Sequence, residues 1–152
     1  MKLQRRAKNC GEIWGILIIV LAIIGGGFWA LHAYKKKTER DGKLFAEEAI
    51  TRLAVHYDNA YFAAQLGREA RLEYPPARQA NFLLKFRELG LPLQPIPIEG
   101  SVTFKSGFFE PFGLFRGKLQ YPSRPGEIEI GVSHPANRWQ IDTIDIKWER
   151  ER

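Results

Sequence analysis

The most prominent pattern in the chain is a long apolar run near its beginning. No charged residue occurs over residues 13–31, and as an α-helix this stretch would span roughly 28 Å, close to the hydrocarbon thickness of a bilayer. Aromatic and basic residues that favour lipid headgroups flank the run, and they are Trp14, Trp29, Tyr34, Lys35, Lys36 and Lys37. The pattern predicts a basic tail over residues 1–12, a transmembrane anchor over residues 13–34 and a juxtamembrane linker over residues 35–43.

A cleaved signal peptide is the alternative interpretation of this run, because it also begins with a basic tail. The possible cleavage sites, Phe28-Trp29-Ala30 and Leu31-His32-Ala33, each carry a bulky residue where a small one is preferred, which favours an uncleaved anchor. Basic residues flank both ends of the run, so charge alone leaves the orientation open. Because a short inside tail with an exported domain is the common arrangement, we expect a bacterial inner-membrane protein with its C-terminal domain outside the cytoplasm.

Beyond the basic residues, apolar positions recur every three or four residues, which is the period of an amphipathic helix. These positions are Ala46, Ala49, Ile50, Leu53, Tyr57, Ala60, Tyr61 and Ala64. Thr38 or Asp41 is suited to cap the start of this helix, and Gly67 is suited to end it. The pair Asp58-Asn59 can divide the stretch into two helices, because both residues favour helix caps over helix interiors.

A second helix has clearer limits. Its entry is marked by Pro75 and Pro76, and Gly90 marks its end. Its apolar face contains Phe82, Leu83, Phe86 and Leu89. Residues 91–97 then include Pro92, Pro95 and Pro97, so they are predicted to form an extended connector.

From residue 98 onward the apolar positions alternate with a period of two, as in β-strands with one buried face. Four such stretches, separated by turns rich in proline, glycine or asparagine, predict four strands. Their apolar positions are Val102 and Phe104; Phe115, Gly117, Leu119 and Tyr121; Ile128, Ile130 and Val132; and Trp139, Ile141, Ile144, Ile146 and Trp148. In the last stretch the apolar residues change from odd-numbered to even-numbered positions near Asp142 or Thr143. One extra residue at that point would account for the change, so the pattern predicts a β-bulge.

This order of elements predicts an α+β domain over residues 44–149, in which two or three helices pack on a four-stranded antiparallel meander sheet. The order, together with the stretches 66–71 (LGREAR), 86–90 (FRELG) and 137–141 (NRWQI), resembles the cystatin-like folds, and among these the small nuclear-transport-factor-like domains. An anchor followed by helices and a small sheet is also similar to the layout of membrane-anchored cytochrome oxidase assembly factors. These groups include enzymes, binding proteins and assembly factors, so the resemblance implies a fold and no functional residue.

The net charge of +6 does not indicate a nucleic-acid surface. Residues 1–37 contain seven basic residues and one acidic residue, whereas 16 basic and 16 acidic residues follow them. The positive charge therefore lies beside the apolar run, where it can meet anionic headgroups, and the domain is neutral. This distribution argues against nucleic-acid binding, which requires a basic patch.

The sequence contains no motif for catalysis, metal binding or phosphate binding. Its single cysteine, Cys10, permits no intramolecular disulfide, and its three histidines lack the spacing of a metal site. Asp142 would face a cavity only if the bulge turned it inward, and a solvent-facing carboxylate is the simpler interpretation. We therefore expect no cofactor and no enzymatic activity.

An unusual aromatic segment lies between the first two predicted strands, where turns are normally polar. Phe108, Phe109, Phe112 and Phe115 crowd around two glycines and a proline. These rings either complete a small core or form an exposed apolar patch, which on a protein surface marks contact with a partner or a membrane.

Three functions fit these features. The first is a non-enzymatic, membrane-anchored domain that binds a membrane or envelope protein as an assembly accessory, with the lipid bilayer and that protein as its partners. The second is a domain that binds or turns over a small apolar ligand in a cone between helices and sheet, lined by Tyr57, Tyr61 and Trp139. The third is a pilin-like subunit, although the glycine, apolar residue and glutamate of a prepilin signature are not found at Gly11-Glu12-Ile13.

Overall fold

A computed structural model describes the backbone of residues 5–148 and the side chains of residues 14–148. The side chains of the predicted basic tail, and the last residue of the predicted domain, lie outside the described residues. The chain divides into two compact units, Met1–Lys37 and Thr38–Arg152.

The first helix, α1, runs from Arg5 to Ala54 and contains the predicted anchor. Its described part is long and apolar enough to cross a membrane, and the side chains of its most apolar window are exposed. The expectation that a new helix starts at Thr38 or Asp41 is wrong, because both residues lie inside α1. Residues 35–43, expected as a linker, are likewise helical, since they contain no proline to interrupt the helix.

Three shorter helices follow, namely α2 (Asn59–Gln65), α3 (Arg68–Glu73) and α4 (Pro76–Leu89). The predicted break after α1 is confirmed, because the Asp58 carboxylate accepts a 2.9 Å hydrogen bond from the Tyr61 amide and caps α2. The predicted limits of α4 are also confirmed, with Gly90 in a left-handed conformation at its end. The sequence did not predict α3, because six residues are too few to display a helical period.

The strands form the predicted antiparallel meander in the order β1-β2-β3-β4. They are β1 (Ile98–Ser106), β2 (Phe109–Gln120), β3 (Pro125–Ser133) and β4 (Gln140–Trp148), with a short 3-10 turn, Pro135–Asn137, before β4. The predicted bulge is present, because Val132 pairs with Ile141 while Gly131 pairs with Thr143, so Asp142 is the extra residue. The α+β class is therefore confirmed.

One face of the sheet, the inner face, packs against the helices. A Cβ added at Gly42 of α1 would lie 2.8 Å from side-chain carbons of both Trp139 and Val102, and one added at Gly117 would lie 3.2 Å from Ile50. The largest fully buried side chains are Phe62, Phe86, Phe115, Ile50, Leu53, Leu119, Ile128, Ile130, Ile141 and Val132. The space between helices and sheet is thus occupied by closely packed apolar side chains.

The edge of the sheet at β4 is covered by the segment that contains α2 and α3. The Gly67 amide donates a 2.8 Å hydrogen bond to the Ile141 carbonyl, and the Tyr74 hydroxyl donates one of 2.6 Å to the Ile144 carbonyl. Two carbonyl groups that point away from β3 are therefore satisfied within the domain, which protects this edge from pairing with another chain.

Candidate functional site

The four phenylalanines of the aromatic segment occupy different environments. Phe115 is 1% exposed and belongs to the core, so its assignment to an exposed patch is corrected. Phe109 is 66% exposed, while Phe108 and Phe112 are half-buried. The alternation of β2 places Phe112 and Phe115 on opposite faces of the sheet, because residues three apart on a strand point to opposite faces. Phe109 has the parity of Phe115 but is the first residue of β2, at the hairpin end of the strand.

Phe112 and Leu114 lie on the outer face of the sheet, which is the face away from the helices. Across the β1–β2 ladder, Phe112 pairs with Thr103 and Leu114 with Ser101, and the Thr103 hydroxyl donates a 3.2 Å hydrogen bond to the Phe112 carbonyl. A hollow of about 340 Å³ opens here, lined by Glu99, Gly100, Ser101, Thr103, Phe112, Leu114 and Arg116. We call Ser101, Thr103, Phe112 and Leu114 the Phe112 surface.

A second hollow, of about 450 Å³, lies on the other side of Phe112, between the β1–β2 hairpin and the β3–β4 turn. Its lining consists of Lys105, Glu110, Pro111, Phe112, Ser133, His134, Pro135, Ala136 and Asp142. The Lys105 ammonium lies 5.9 Å from the centre of the Phe112 ring, within the range of a cation–π contact. Phe112 therefore separates two hollows and contributes to both.

The polar groups of the second hollow are held by their neighbours. The Gln140 amide nitrogen donates hydrogen bonds to Asp142 at 2.8 Å and to the Ser133 hydroxyl at 3.3 Å. The His134 ring lies 4.7 Å from the Trp139 ring, and its burial lowers the pKa of His134 while the Asp41 carboxylate acts in the opposite direction. The Ser133 hydroxyl and the Asp142 carboxylate therefore both accept hydrogen bonds from the Gln140 side chain.

Backbone strain is concentrated in the loops around the same hollow. Glu110, Ala136 and Asn137 all have positive φ, with values of 53°, 49° and 62°. Residues other than glycine rarely adopt this conformation, and such strain is common at binding and catalytic sites. The hairpin and the β3–β4 turn are therefore held in defined shapes on either side of the second hollow.

Ion pairs border the Phe112 surface on the outer face. The Arg116 guanidinium lies 2.7 Å from the Glu129 carboxylate, and the Lys118 ammonium lies 3.1 Å from Glu99. Lys147 approaches Glu129 at 3.9 Å and extends the row across to β4. The basic side chains and Glu99 are largely exposed, whereas the Glu129 side chain is 23% exposed. Ion pairs with exposed partners contribute little to stability, so these pairs mainly define a polar border.

The three side chains predicted to line an internal pocket are not brought together. The Tyr57 hydroxyl donates a 2.8 Å hydrogen bond to the Gly90 carbonyl, beyond the C-terminal end of α1. Trp139 instead packs near the beginning of the domain part of α1, with its ring 6.3 Å from Phe45. Burial raises the pKa of Tyr61 to about 12, and its hydroxyl has no hydrogen-bond partner among the described residues.

The residues that were predicted to lie at the borders of the membrane are all on α1. Trp14, Trp29 and Tyr34 are exposed, as are Lys36 and Lys37, and the remaining member, Lys35, is half-buried. The two tryptophans are separated by roughly 22 Å along the helix axis, given the rise per residue. This separation suits two aromatic belts at the borders of a hydrocarbon layer.

Sequence reasoning missed Leu114 as a surface residue. The alternation along β2 could have identified it. Leu114 lies in the same alternating series as the polar residues Arg116 and Lys118, whereas Phe115 and Leu119 lie in the buried series. Glu110 and His134 were also missed, since only the fold places the hairpin beside the β3–β4 turn. No protein-family model, curated protein or solved structure matches this chain.

Proposed function

We propose that this chain is a single-pass membrane protein whose α+β domain binds another membrane or envelope protein through the Phe112 surface, as a non-enzymatic assembly accessory. The observation that carries the proposal is the 39% exposure of Leu114 on the same outer face of β2 as half-buried Phe112, beside the hollow that both residues line. Exposed apolar side chains that cluster in this way typically mark an interface.

The surroundings of these side chains also support protein binding. Protein interfaces commonly have an apolar centre and a polar rim. Here the rim consists of Glu99, Lys118, Arg116 and Glu129, which are already paired with each other. A partner can therefore cover the centre without burying an unpaired charge from this rim, which would be costly.

The membrane role is supported by the described part of α1, which is long and apolar enough to span a bilayer. The proposed location is the bacterial inner membrane, with the domain outside the cytoplasm and the bilayer as the second partner. A reporter enzyme that is active only outside the cytoplasm, fused after Arg152, tests this orientation. Activity of the fusion supports it, and activity only with a cytoplasmic reporter contradicts it.

The proposed domain type is cystatin-like, on the basis of the helices that precede a four-stranded meander and pack on one of its faces. A cystatin-like domain is compatible with binding and with catalysis, so the domain type does not distinguish between these two functions. The proposal of protein binding rather than catalysis rests on the Phe112 surface alone.

The test is a crosslinked pull-down of the full-length, C-terminally tagged protein from native membranes. It compares the wild type with a Phe112→Ser/Leu114→Ser variant and with Leu84→Ser, which changes a leucine that is 50% exposed on α4. We expect one partner to be retained by the wild type and by Leu84→Ser, and lost from the double variant. Equal retention by all three would contradict a role for the Phe112 surface. A partner profile identical to that of an anchor-only chain, residues 1–37, would contradict protein binding by the domain.

A further inference from the structure

We propose that the partner binds as an extended segment that adds an antiparallel β-strand to the edge of β1 that faces away from β2, with an apolar side chain in the hollow of the Phe112 surface. The inference rests on the proposed protein-binding function and specifies the kind of segment that is bound. Strand addition supplies affinity through main-chain hydrogen bonds and specificity through pockets for alternate side chains.

One hydrogen bond beside the first residue of β1 shows which backbone groups of the strand point towards β2 and which point away from it. The Lys118 amide donates a 3.1 Å hydrogen bond to the Pro97 carbonyl, one position before the pair Ile98 and Gly117. In an antiparallel ladder, hydrogen-bonded and non-bonded pairs alternate. Consequently Glu99, Ser101 and Thr103 direct their backbone groups to β2. The backbone groups of Ile98, Gly100 and Val102 point to the edge that faces away from β2.

These edge groups are not used elsewhere in the described part of the chain. No backbone hydrogen bond outside the sheet ladders involves Ile98, Gly100 or Val102. Gly100 is exposed, and it has no side chain that would shield its amide and carbonyl groups. By contrast, Gly67 and Tyr74 satisfy the corresponding carbonyl groups of β4. The sheet therefore has one covered edge and one edge that can accept a strand around exposed Gly100.

The outer-face side chains of β1 define what the added strand should carry. Ser101 and Thr103 are short, so a long apolar side chain on the added strand can extend across them towards Leu114 and Phe112. Glu99 and Lys105 lie at the two ends of the same row, and both are exposed. The complementary segment has leucine-sized side chains opposite Ser101 and Thr103, a basic residue opposite Glu99 and an acidic residue opposite Lys105.

The probe is a synthetic peptide, Glu-Thr-Leu-Val-Leu-Thr-Lys, with blocked termini, titrated into isotope-labelled full-length protein in nanodiscs. In the antiparallel register its first residue faces Lys105 and its last faces Glu99. We expect amide NMR shifts at Gly100 and Val102, together with slower hydrogen exchange at Gly100. N-methylation of the central Val and the second Thr, whose amides face β1, should weaken binding by about tenfold or more. N-methylation of the two Leu residues, whose amides face away, should change affinity by less than about twofold.

A protein variant and a matched control test the hollow. Thr103→Arg places a long side chain across the Phe112 surface and should weaken peptide binding by about tenfold, whereas Gln120→Arg, on the outer face at the far end of β2, should not change it. Either of two results overturns strand addition, namely no shift at Gly100 and Val102 or equal weakening by both N-methylation patterns. If the pull-down still depends on Phe112 and Leu114 in that case, only the binding mode is wrong. If that dependence is absent as well, the proposed function is wrong.

Discussion

The Tyr74 hydroxyl donates a 2.6 Å hydrogen bond to the Ile144 carbonyl, which lies 70 positions further along the chain. Both groups are buried, so this bond ties the segment between α3 and α4 to the middle of β4. It also satisfies one of the carbonyl groups on the covered edge of the sheet.

Removal of this hydroxyl should therefore destabilise the domain. We expect Tyr74→Phe to lower the free energy of unfolding by about 1–3 kcal/mol, because the buried Ile144 carbonyl loses its donor. Tyr61→Phe is the matched control, since the Tyr61 hydroxyl is buried without a hydrogen-bond partner among the described residues, and its removal should not lower stability. Urea unfolding in detergent, followed by circular dichroism, measures both. Equal losses in the two variants would contradict this assignment.

Alkaline pH should destabilise the domain through its buried tyrosines. Burial raises the pKa of Tyr61 to about 12 and also raises the pKa of Tyr121, whereas an unfolded tyrosine has a pKa of 10.0. Below pH 10 these groups are protonated in both states and stability does not depend on them. Between pH 10 and 12 the unfolded state loses the protons first, so stability decreases as the pH rises. The measurement is the urea midpoint across this range. The decline should be shallower in a Tyr61→Phe/Tyr121→Phe variant, and an unchanged slope would contradict the prediction.

Gly42→Ala should destabilise the domain, although alanine favours helix formation by about 1 kcal/mol over glycine. The added Cβ would lie 2.8 Å from carbons of Trp139 and Val102, which forces the helix away from the sheet and should cost about 1–3 kcal/mol net. Gly27→Ala, at a helical glycine with open space around it, is the control. Thermal unfolding of the domain distinguishes them, and a higher melting temperature for Gly42→Ala would contradict the close packing.

The aromatic segment should separate into core and surface residues on substitution. Phe115→Ala removes a ring that is 1% exposed and should cost about 3–5 kcal/mol, whereas Phe109→Ser, at 66% exposure, should cost less than about 1 kcal/mol. Denaturant unfolding of the two variants measures the difference. A large loss for Phe109→Ser would show that this ring packs in the domain and is not available to a partner.

Much of the fold could be predicted because periodicity reports burial directly. The change from a three-to-four-residue to a two-residue period at Ile98 predicted the class, and the parity change near Asp142 predicted the bulge. The start of the domain helix could not be located, because Thr38 and Asp41 are suited to helix caps but also occur within helices. Nothing in the local sequence shows that α1 continues through them.

The candidate site was only partly predictable. Local composition identified Phe109 and Phe112, but the exposure of a ring depends on the face of the strand on which it lies. Leu114 and the hollows depend on the pairing of β2 with β1 and on the approach of the hairpin to the β3–β4 turn. The pattern of apolar and polar residues along the sequence does not show which distant segments come into contact.

The close packing of Gly42 against Trp139 and Val102 also has a mechanical consequence. Only glycine leaves room there, so a slide of the helix by one residue would bring the side chain of Asp41 or Lys43 against the same rings and methyl groups. The domain part of α1 is therefore locked in register with the inner face of the sheet. A force or rotation applied to this part of the helix would be passed to β1 and to the β3–β4 turn as a rigid displacement, rather than being absorbed by slippage.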